Sequence, residues 1–280
     1  MVAGDGPKGV NARQRVAVVG CDAGPPPSAR VRAARLAKCR FVRKKMFLVL
    51  RCDRVCGHTF ITNWLSNTST IVDLGMNHGD FSFHIAKRYG STIIGVEPVS
   101  ELFVQLPRLP HLVAECLAIS GHDGMATLSI PANSEASSLT LPQNHESLRR
   151  QVPVSTLTSL LQRNGINHVG LLKADIEGAE IAMFDATDDA TLKKIGQISV
   201  EFHDFVDHLR ASDVLRIKRR LSALDFSICR FSRDNTDVLF VNQRLCALSR
   251  ANRIQLSVIK YHYGLKRIIS RTLGRMTLQC

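Results

Sequence analysis

Three short stretches hold the residue types that can do chemistry. The first is Thr70-Ile71-Val72-Asp73-Leu74-Gly75-Met76-Asn77-His78-Gly79-Asp80-Phe81-Ser82, where a strand-like run ends in an acid and two glycines follow. A helical pattern then opens, with Phe81, Ile85 and Tyr89 on one face. A strand that feeds a glycine-bearing turn and a helix N-terminus can hold a small ligand, because glycine admits close approach and first-turn N–H groups face outward. Asp73 narrows the choice. A carboxylate at the mouth of the bend would repel a pyrophosphate, and the G-x-G-x-x-G spacing of dinucleotide sites is absent. It suits a ligand with an ammonium, such as S-adenosylmethionine. Glu97 ends the next strand-like run, 18 residues beyond Gly79, where an acid can accept both ribose hydroxyls of an adenosine. Asp73, Gly75, Gly79 and Glu97 thus form a nucleoside-binding set. Asn77 also reads as a helix N-cap with Asp80 as its partner, a role compatible with ligand binding in the same turn.

The second and third stretches are Leu171-Leu172-Lys173-Ala174-Asp175-Ile176-Glu177-Gly178-Ala179-Glu180 and Ser199-Val200-Glu201-Phe202-His203. Alternation along a strand puts Lys173 and Asp175 on one face, and likewise Glu201 and His203. If the two strands are neighbours, Asp175, Glu177, Glu201 and His203 converge beyond the carboxyl edge of the sheet, where open α/β sheets hold ligands. Three acids and a histidine can supply a general base or ligate a hard divalent cation. Plainer roles stand beside these: Glu177 and Glu180 complement a helix dipole, and His203 closes a strand. Asp175, Glu201 and His203 are the candidate bases, unranked. No residue is assigned to a metal, although a divalent ion is compatible with the cluster.

Positioning these groups takes alternating strands and helices. Strands are predicted at Ile71–Leu74, Thr92–Glu97, Leu112–Cys116, Val169–Asp175 and Gln197–His203. Helices are predicted over 79–89, 99–106, 155–164, 178–184 and about 208–223, and an insert over 124–130 and 137–141, read as short strands or a hairpin, interrupts the series. The last two strands, Asp225–Arg230 and Asp237–Val241, are joined by a short polar turn and must be antiparallel. The pattern predicts an α/β domain with a mostly parallel sheet and helices on both faces.

Charge divides the chain of 280 residues. Residues 1–56 carry 13 Lys/Arg and 3 Asp/Glu, residues 57–243 carry 16 and 21, and residues 244–280 carry 8 and none. Residues 1–45, rich in Gly, Pro, Ala and Arg, read as a disordered basic leader, with Met46 standing where a start would suit the folded part. The domain is expected over 46–243. Residues 244–280 have helical apolar spacing and no acid, which suits a helix packed on the domain, contact with an anionic membrane surface or binding to nucleic acid. The eight cysteines form no C-x-x-C pair, the longest early apolar run is Met46–Leu50, and no signal-peptide order is present. A cytoplasmic protein, peripheral to a membrane at most, is expected.

The motifs Asp73-x-Gly75-x-Asn77-x-Gly79, Val96-Glu97-Pro98, Thr156-Leu157-x-x-Leu160, Lys173-Ala174-Asp175-Ile176-Glu177-Gly178-Ala179-Glu180 and Ser199-Val200-Glu201 resemble, in order, those of the FkbM family of S-adenosylmethionine-dependent methyltransferases. The resemblance runs from about residue 70 to 242. It implies a class I methyltransferase (Rossmann-like) fold, with a seven-stranded, mostly parallel sheet ending in an antiparallel hairpin. It also implies O-methylation of a hydroxyl on a sugar, glycolipid or polyketide-like acceptor. Asp73, Gly75, Asn77, Gly79, Phe81, Glu97, Pro98 and Asp175 would bind the cofactor. Met76 and Thr158 depart from the family's usual Ala and Asp. Base methylation of nucleic acid is disfavoured, because Asp175-Ile176-Glu177-Gly178 stands where an Asn/Asp-Pro-Pro-aromatic block belongs. The alternatives are RNA ribose methylation, using the basic flanks, and a nucleoside-binding module without catalysis.

Overall fold

The computed structural model describes residues 49–131, 139, 147–203 and 210–276. The expected leader over 1–45, and most of the insert's second strand over 137–141, lie outside the described residues. A hairpin, β1 (Cys52–Val55) and β2 (His58–Ile61), precedes the first central strand, β3 (Thr70–Leu74). Helix α1 (Asp80–Tyr89), β4 (Thr92–Val96), the one-turn α2 (Ser100–Phe103) and β5 (Leu112–Glu115) follow. β6 (Ala118–Ile119), β7 (Gly124–Pro131) and β8 (Ser147–Ser155) make a small side sheet. The chain continues through α3 (Leu157–Arg163), β9 (Val169–Ala174), α4 (Glu180–Ala186), α5 (Asp189–Leu192), β10 (Ile195–Val200) and α6 (Ala211–Ala223). It ends with β11 (Phe226–Arg230), β12 (Val238–Asn242) and α7 (Arg250–Met276).

Seven strands form the main sheet in the order β11-β12-β10-β9-β3-β4-β5. Strands β5, β4, β3, β9 and β10 pair in parallel, and β12 runs against both β10 and β11. This is the mostly parallel α/β sheet with the terminal antiparallel hairpin that the pattern predicted. Every residue of β9 and β10 is buried, as expected for parallel strands covered on both faces. From β3 the chain crosses to β4 on one side, while β9 lies on the other. The strand order therefore reverses between β3 and β9, and a crevice opens at their carboxyl ends.

Three local differences from the sequence reading matter for the site. β10 ends at Val200, so Glu201, Phe202 and His203 leave the strand, although the Glu201 N–H still bonds the Ala174 carbonyl at 3.0 Å. β7 pairs with β8, a strand absent from the sequence reading that occupies the approach to α3. Its buried Val152 and Val154 alternate correctly, but Arg149, Arg150 and Pro153 obscure the pattern. Helix α3 starts at Leu157, with Thr156 as N-cap accepting the Ser159 N–H at 3.1 Å.

The hairpin is fastened to the sheet by buried polar groups. The Asp237 carboxylate accepts the Thr59 N–H at 3.1 Å, the Thr59 hydroxyl at 2.8 Å and Arg54 Nε at 3.0 Å. The Gln197 side chain accepts the Ile61 N–H at 2.8 Å and donates to the Ile61 carbonyl at 2.9 Å. Asp237→Asn turns an amide NH2 toward these donors, so it should cost about 1–3 kcal/mol in thermal or urea unfolding. An unchanged midpoint would mean that the hairpin is held by other contacts.

Residues beyond 243 are packed onto the domain. Cys246, Leu248 and Leu256 share a buried cluster with Leu50, Ile61 and Phe231, and Ile259 and Tyr263 lie against it. The opposite side of α7 exposes Ile254, Val258, Tyr261 and Leu265. Among the described residues, no helix is long and apolar enough to cross a membrane.

Candidate active site

The first turn leaves β3 through three left-handed residues, Gly75 (φ +77°), Asn77 (φ +52°) and Gly79 (φ +84°). A Cβ on Gly75 would overlap the Asp175 carbonyl oxygen, so the glycine lets two strand ends close on each other. The Gly75 and Met76 N–H groups bond the Val96 carbonyl at 3.1 and 3.0 Å. The buried Glu97 carboxylate accepts the Asn77 N–H at 2.7 Å and the Val99 N–H at 2.9 Å, which locks the turn to the end of β4. Burial raises the Glu97 pKa, and these N–H groups offset part of the rise. Met76 packs directly over Gly95 on the neighbouring strand.

The other residues of this set take different places. Asp73 is fully buried, accepts the Ser82 hydroxyl at 2.7 Å and lies 3.3 Å from Lys173 Nζ. Its carboxylate therefore anchors the turn from below and is not among the groups lining the cleft described next. Phe81 packs in the core, edge-on to Phe60. Gly79 is the N-cap of α1, and no side chain caps that helix, so the capping role read for Asn77 is not present. The Asn77 Oδ1 atom is buried and has no hydrogen-bond partner among the described residues.

An open cleft runs along the sheet edge, at the carboxyl ends of the strands. Gly75, Asn77, Glu97 and Pro98 form one side, and Asp175, Ile176 and Glu177 form the other. Ala118, Ile119, Leu128 and Leu139 supply an apolar wall. The small side sheet provides most of that wall.

At the Asp175 end the cleft meets a dense set of ionisable groups. Lys173 is buried and donates to the Gly75 carbonyl at 2.5 Å, with Asp73 at 3.3 Å and Asp175 at 3.8 Å. Burial alone would depress its pKa, but the two carboxylates raise it. Asp175 Oδ2 lies 3.4 Å from His58 Nε2, and Oδ1 lies 3.9 Å from His203 Nε2. Burial works against its ionised form, yet the His58 hydrogen bond and Lys173 hold its carboxyl well below the usual range. His203 Nε2 is 3.1 Å from Glu177 and Nδ1 is 2.9 Å from Glu180. Against the effect of burial, these two acids lift the imidazole to about 11. Glu201 is pushed up to about 7, first by burial and then by the nearby Asp175 carboxylate.

The structure thus brings Asp175, Glu177, Glu201 and His203 together as the spacing predicted. It adds two residues that the sequence reading did not place here. His58 comes from the hairpin, outside every motif, and only the fold reveals it. Glu180 is fully buried and accepts the Gly178 N–H at 3.1 Å and the Ile176 N–H at 3.2 Å besides bonding His203. Its place in the lysine-to-glutamate block was the available signal, but a helix-dipole role explained it equally well.

The methyltransferase FkbM domain profile matches residues 73–228, more than half of the chain. The chain belongs to the FkbM methyltransferase family. "Methyltransferase 1" of Beauveria bassiana (strain ARSEF 2860) is similar at 28% identity over 198 residues, covering 61% of this chain and 76% of that one. Among solved structures, a variant of the 16S rRNA (adenine(1408)-N(1))-methyltransferase from Catenulisporales acidiphilia is similar at 12% identity, covering 61% of this chain and 82% of that chain. Its TM-score is 0.31, too loose to bear on the reaction of the FkbM member described here. The family profile begins at Asp73, so the hairpin and His58 lie outside it.

Proposed function

We propose that this chain is an S-adenosylmethionine-dependent O-methyltransferase that acts on a hydroxyl of a sugar, glycolipid or polyketide-like acceptor. One observation carries the reading: the cleft that starts at the Asn77–Glu97 turn ends at Asp175, where acid–base groups converge. The residues of the turn fit the cofactor. The unpartnered Asn77 Oδ1 can accept from an amino group, and Glu97 keeps lone pairs for ribose hydroxyls while it holds two backbone N–H groups. Asp175 and Glu177 place negative charge along the same cleft, which favours a cationic ligand. Bound S-adenosylmethionine would supply an electrophilic methyl group on a positively charged sulfur.

The chain's own part is to orient the acceptor and take its proton. Of the three candidate bases, Asp175 is engaged by Lys173 and His58, and His203 is held between Glu177 and Glu180. Glu201 sits beside them with one oxygen within 4.8 Å of ligand atoms of both His58 and Asp175. We assign Glu201 as the base. Its carboxylate accepts the hydroxyl proton as the oxygen–carbon bond forms and the carbon–sulfur bond breaks, while Asp175 and His203 position the oxygen. Calorimetry with S-adenosylmethionine and NAD, followed by assays for S-adenosylhomocysteine release with hydroxyl acceptors, tests the reading. Tight NAD binding without a response to S-adenosylmethionine would overturn it.

The exposed stripe Ile254, Val258, Tyr261 and Leu265 lies on a helix whose sequence is basic and free of acids, which supports an acceptor met at an anionic lipid surface. The full chain should cosediment with phosphatidylserine vesicles at low salt and not with neutral ones. An Ile254→Ser/Tyr261→Ser variant should lose that binding while keeping its thermal midpoint. Equal binding to neutral vesicles, or an unaffected variant, would remove the lipid surface from the proposal.

A further inference from the structure

We infer that Asp175, Glu177 and His203 form a binding site for one first-row divalent cation, of the Mn²⁺ kind, at the end of the cofactor cleft. The three donors come from two adjacent strand ends. One ligand atom of each lies within 4.8 Å of the others. His203 Nε2 stands 3.1 Å from Glu177 Oε2 and 3.9 Å from Asp175 Oδ1. Neighbouring ligands about 2.1 Å from an octahedral cation stand roughly 3.0 Å apart, and opposite ones about 4.2 Å, so both distances fall in the coordinating range.

Each donor is aimed by a separate partner. Glu180, fixed by two backbone N–H groups, takes His203 Nδ1 at 2.9 Å and turns Nε2 toward the two acids. A carboxylate behind the distal nitrogen is the arrangement that sets the tautomer and direction of metal-bound histidines. His58 and Lys173 both approach Asp175 Oδ2, which leaves Oδ1 as the oxygen facing His203. Glu177 holds a left-handed backbone (φ +51°), a conformation rare for residues with a side chain, and this points its carboxylate into the cleft. Four carboxylates, Asp175, Glu177, Glu180 and Glu201, crowd this corner, and a divalent cation offsets their repulsion. Asp237 of the hairpin anchor is already occupied by Thr59 and Arg54 and does not take part. One imidazole with two carboxylates favours Mn²⁺ or Zn²⁺ over Mg²⁺ and Ca²⁺, which prefer all-oxygen sites.

The role of the ion rests on the O-methyl-transfer reading, whereas the site rests on geometry alone. Bound there, a cation meets the acceptor oxygen and makes its hydroxyl more acidic for Glu201. The test uses the full chain, stripped with a chelator and titrated with Mn²⁺ alone, read by the loss of the free Mn²⁺ electron paramagnetic resonance signal and by calorimetry. One Mn²⁺ per chain is expected, displacing to solvent the proton that His203 Nε2 otherwise holds against Glu177, with Mg²⁺ binding more weakly. Glu177→Gln, at a partly exposed position, should weaken Mn²⁺ at least tenfold with an unchanged circular dichroism melt, and Glu180→Gln about 10–100-fold. No bound Mn²⁺ in the unaltered chain, or Glu177→Gln binding as tightly as that chain, overturns the inference and leaves His203 in a plain ion pair. Mn²⁺ bound without transfer to any hydroxyl keeps the site and removes the O-methyl reading. Full transfer by stripped chain that takes up no Mn²⁺ does the reverse.

Discussion

Glu201→Gln lowers kcat by about 10²–10⁴-fold, the usual contribution of a positioned general base. Glutamine keeps the shape of the side chain and removes its ability to accept a proton, so the loss reports chemistry rather than packing. The affinity for S-adenosylmethionine should not change, because Glu201 is not among the residues lining the cleft from Gly75 to Glu177. Nor should the fold weaken: the variant takes one charge out of a corner already crowded by Asp175, Glu177 and Glu180. Steady-state release of S-adenosylhomocysteine, with cofactor affinity from calorimetry, separates these terms. A fall in kcat smaller than about threefold with intact cofactor binding would move the base elsewhere, since it lies far outside the general-base range.

Gly75→Ala has the largest expected effect on the donor side. The new Cβ meets the Asp175 backbone oxygen, which no side-chain rotation can relieve, and φ of +77° already disfavours alanine. Left-handed alanine costs about 1–2 kcal/mol and overpacking a further 1–3 kcal/mol, so about 2–5 kcal/mol is expected in total. At roughly 2–4 °C per kcal/mol, the thermal midpoint should fall by about 4–20 °C. Separating β3 from β9 also displaces Asn77 from Asp175, so cofactor binding should be lost in calorimetry. Gly165→Ala is the control: its φ is +67°, but an added Cβ meets nothing within 4 Å. It should cost only the backbone part. Equal midpoints for the two variants would show that the contact with Asp175 is not what demands glycine.

Much of this arrangement was legible in the amino-acid sequence, for identifiable reasons. Runs such as Val169–Leu172 are apolar because both faces of the sheet are covered, and strand ends are marked by an acid and a glycine, so the sheet and its carboxyl edge could be read directly. Convergence of Asp175 with Glu201 and His203 followed from placing two strands side by side, and the structure does so. The position of Asp73 did not follow. Whether an acid at a strand end faces ligand or core depends on what packs beneath it, here Ser82 and Lys173. His58 was hidden for a different reason: its hairpin reaches the site through Gln197 and Asp237, contacts 136 and 178 residues away in the chain. Local spacing carries no trace of pairings that distant.

The hairpin and α7 have a consequence for where this molecule can be cut. The Leu50 N–H bonds the Gln255 side chain at 3.3 Å, across 205 residues, and both segments share one apolar cluster. The described body is therefore closed like a belt, with the segments around Leu50 and Gln255 buckled together beside β12. Trimming to the family segment 73–228 would remove the buckle and leave Gln197 without the Ile61 backbone it pairs with. Buried polar groups stripped of partners cost about 1–3 kcal/mol each. Such a piece would keep every family motif and lose the histidine that steadies Asp175. Joining the buckled ends with a short linker and opening the chain elsewhere on the surface is the cut the architecture tolerates.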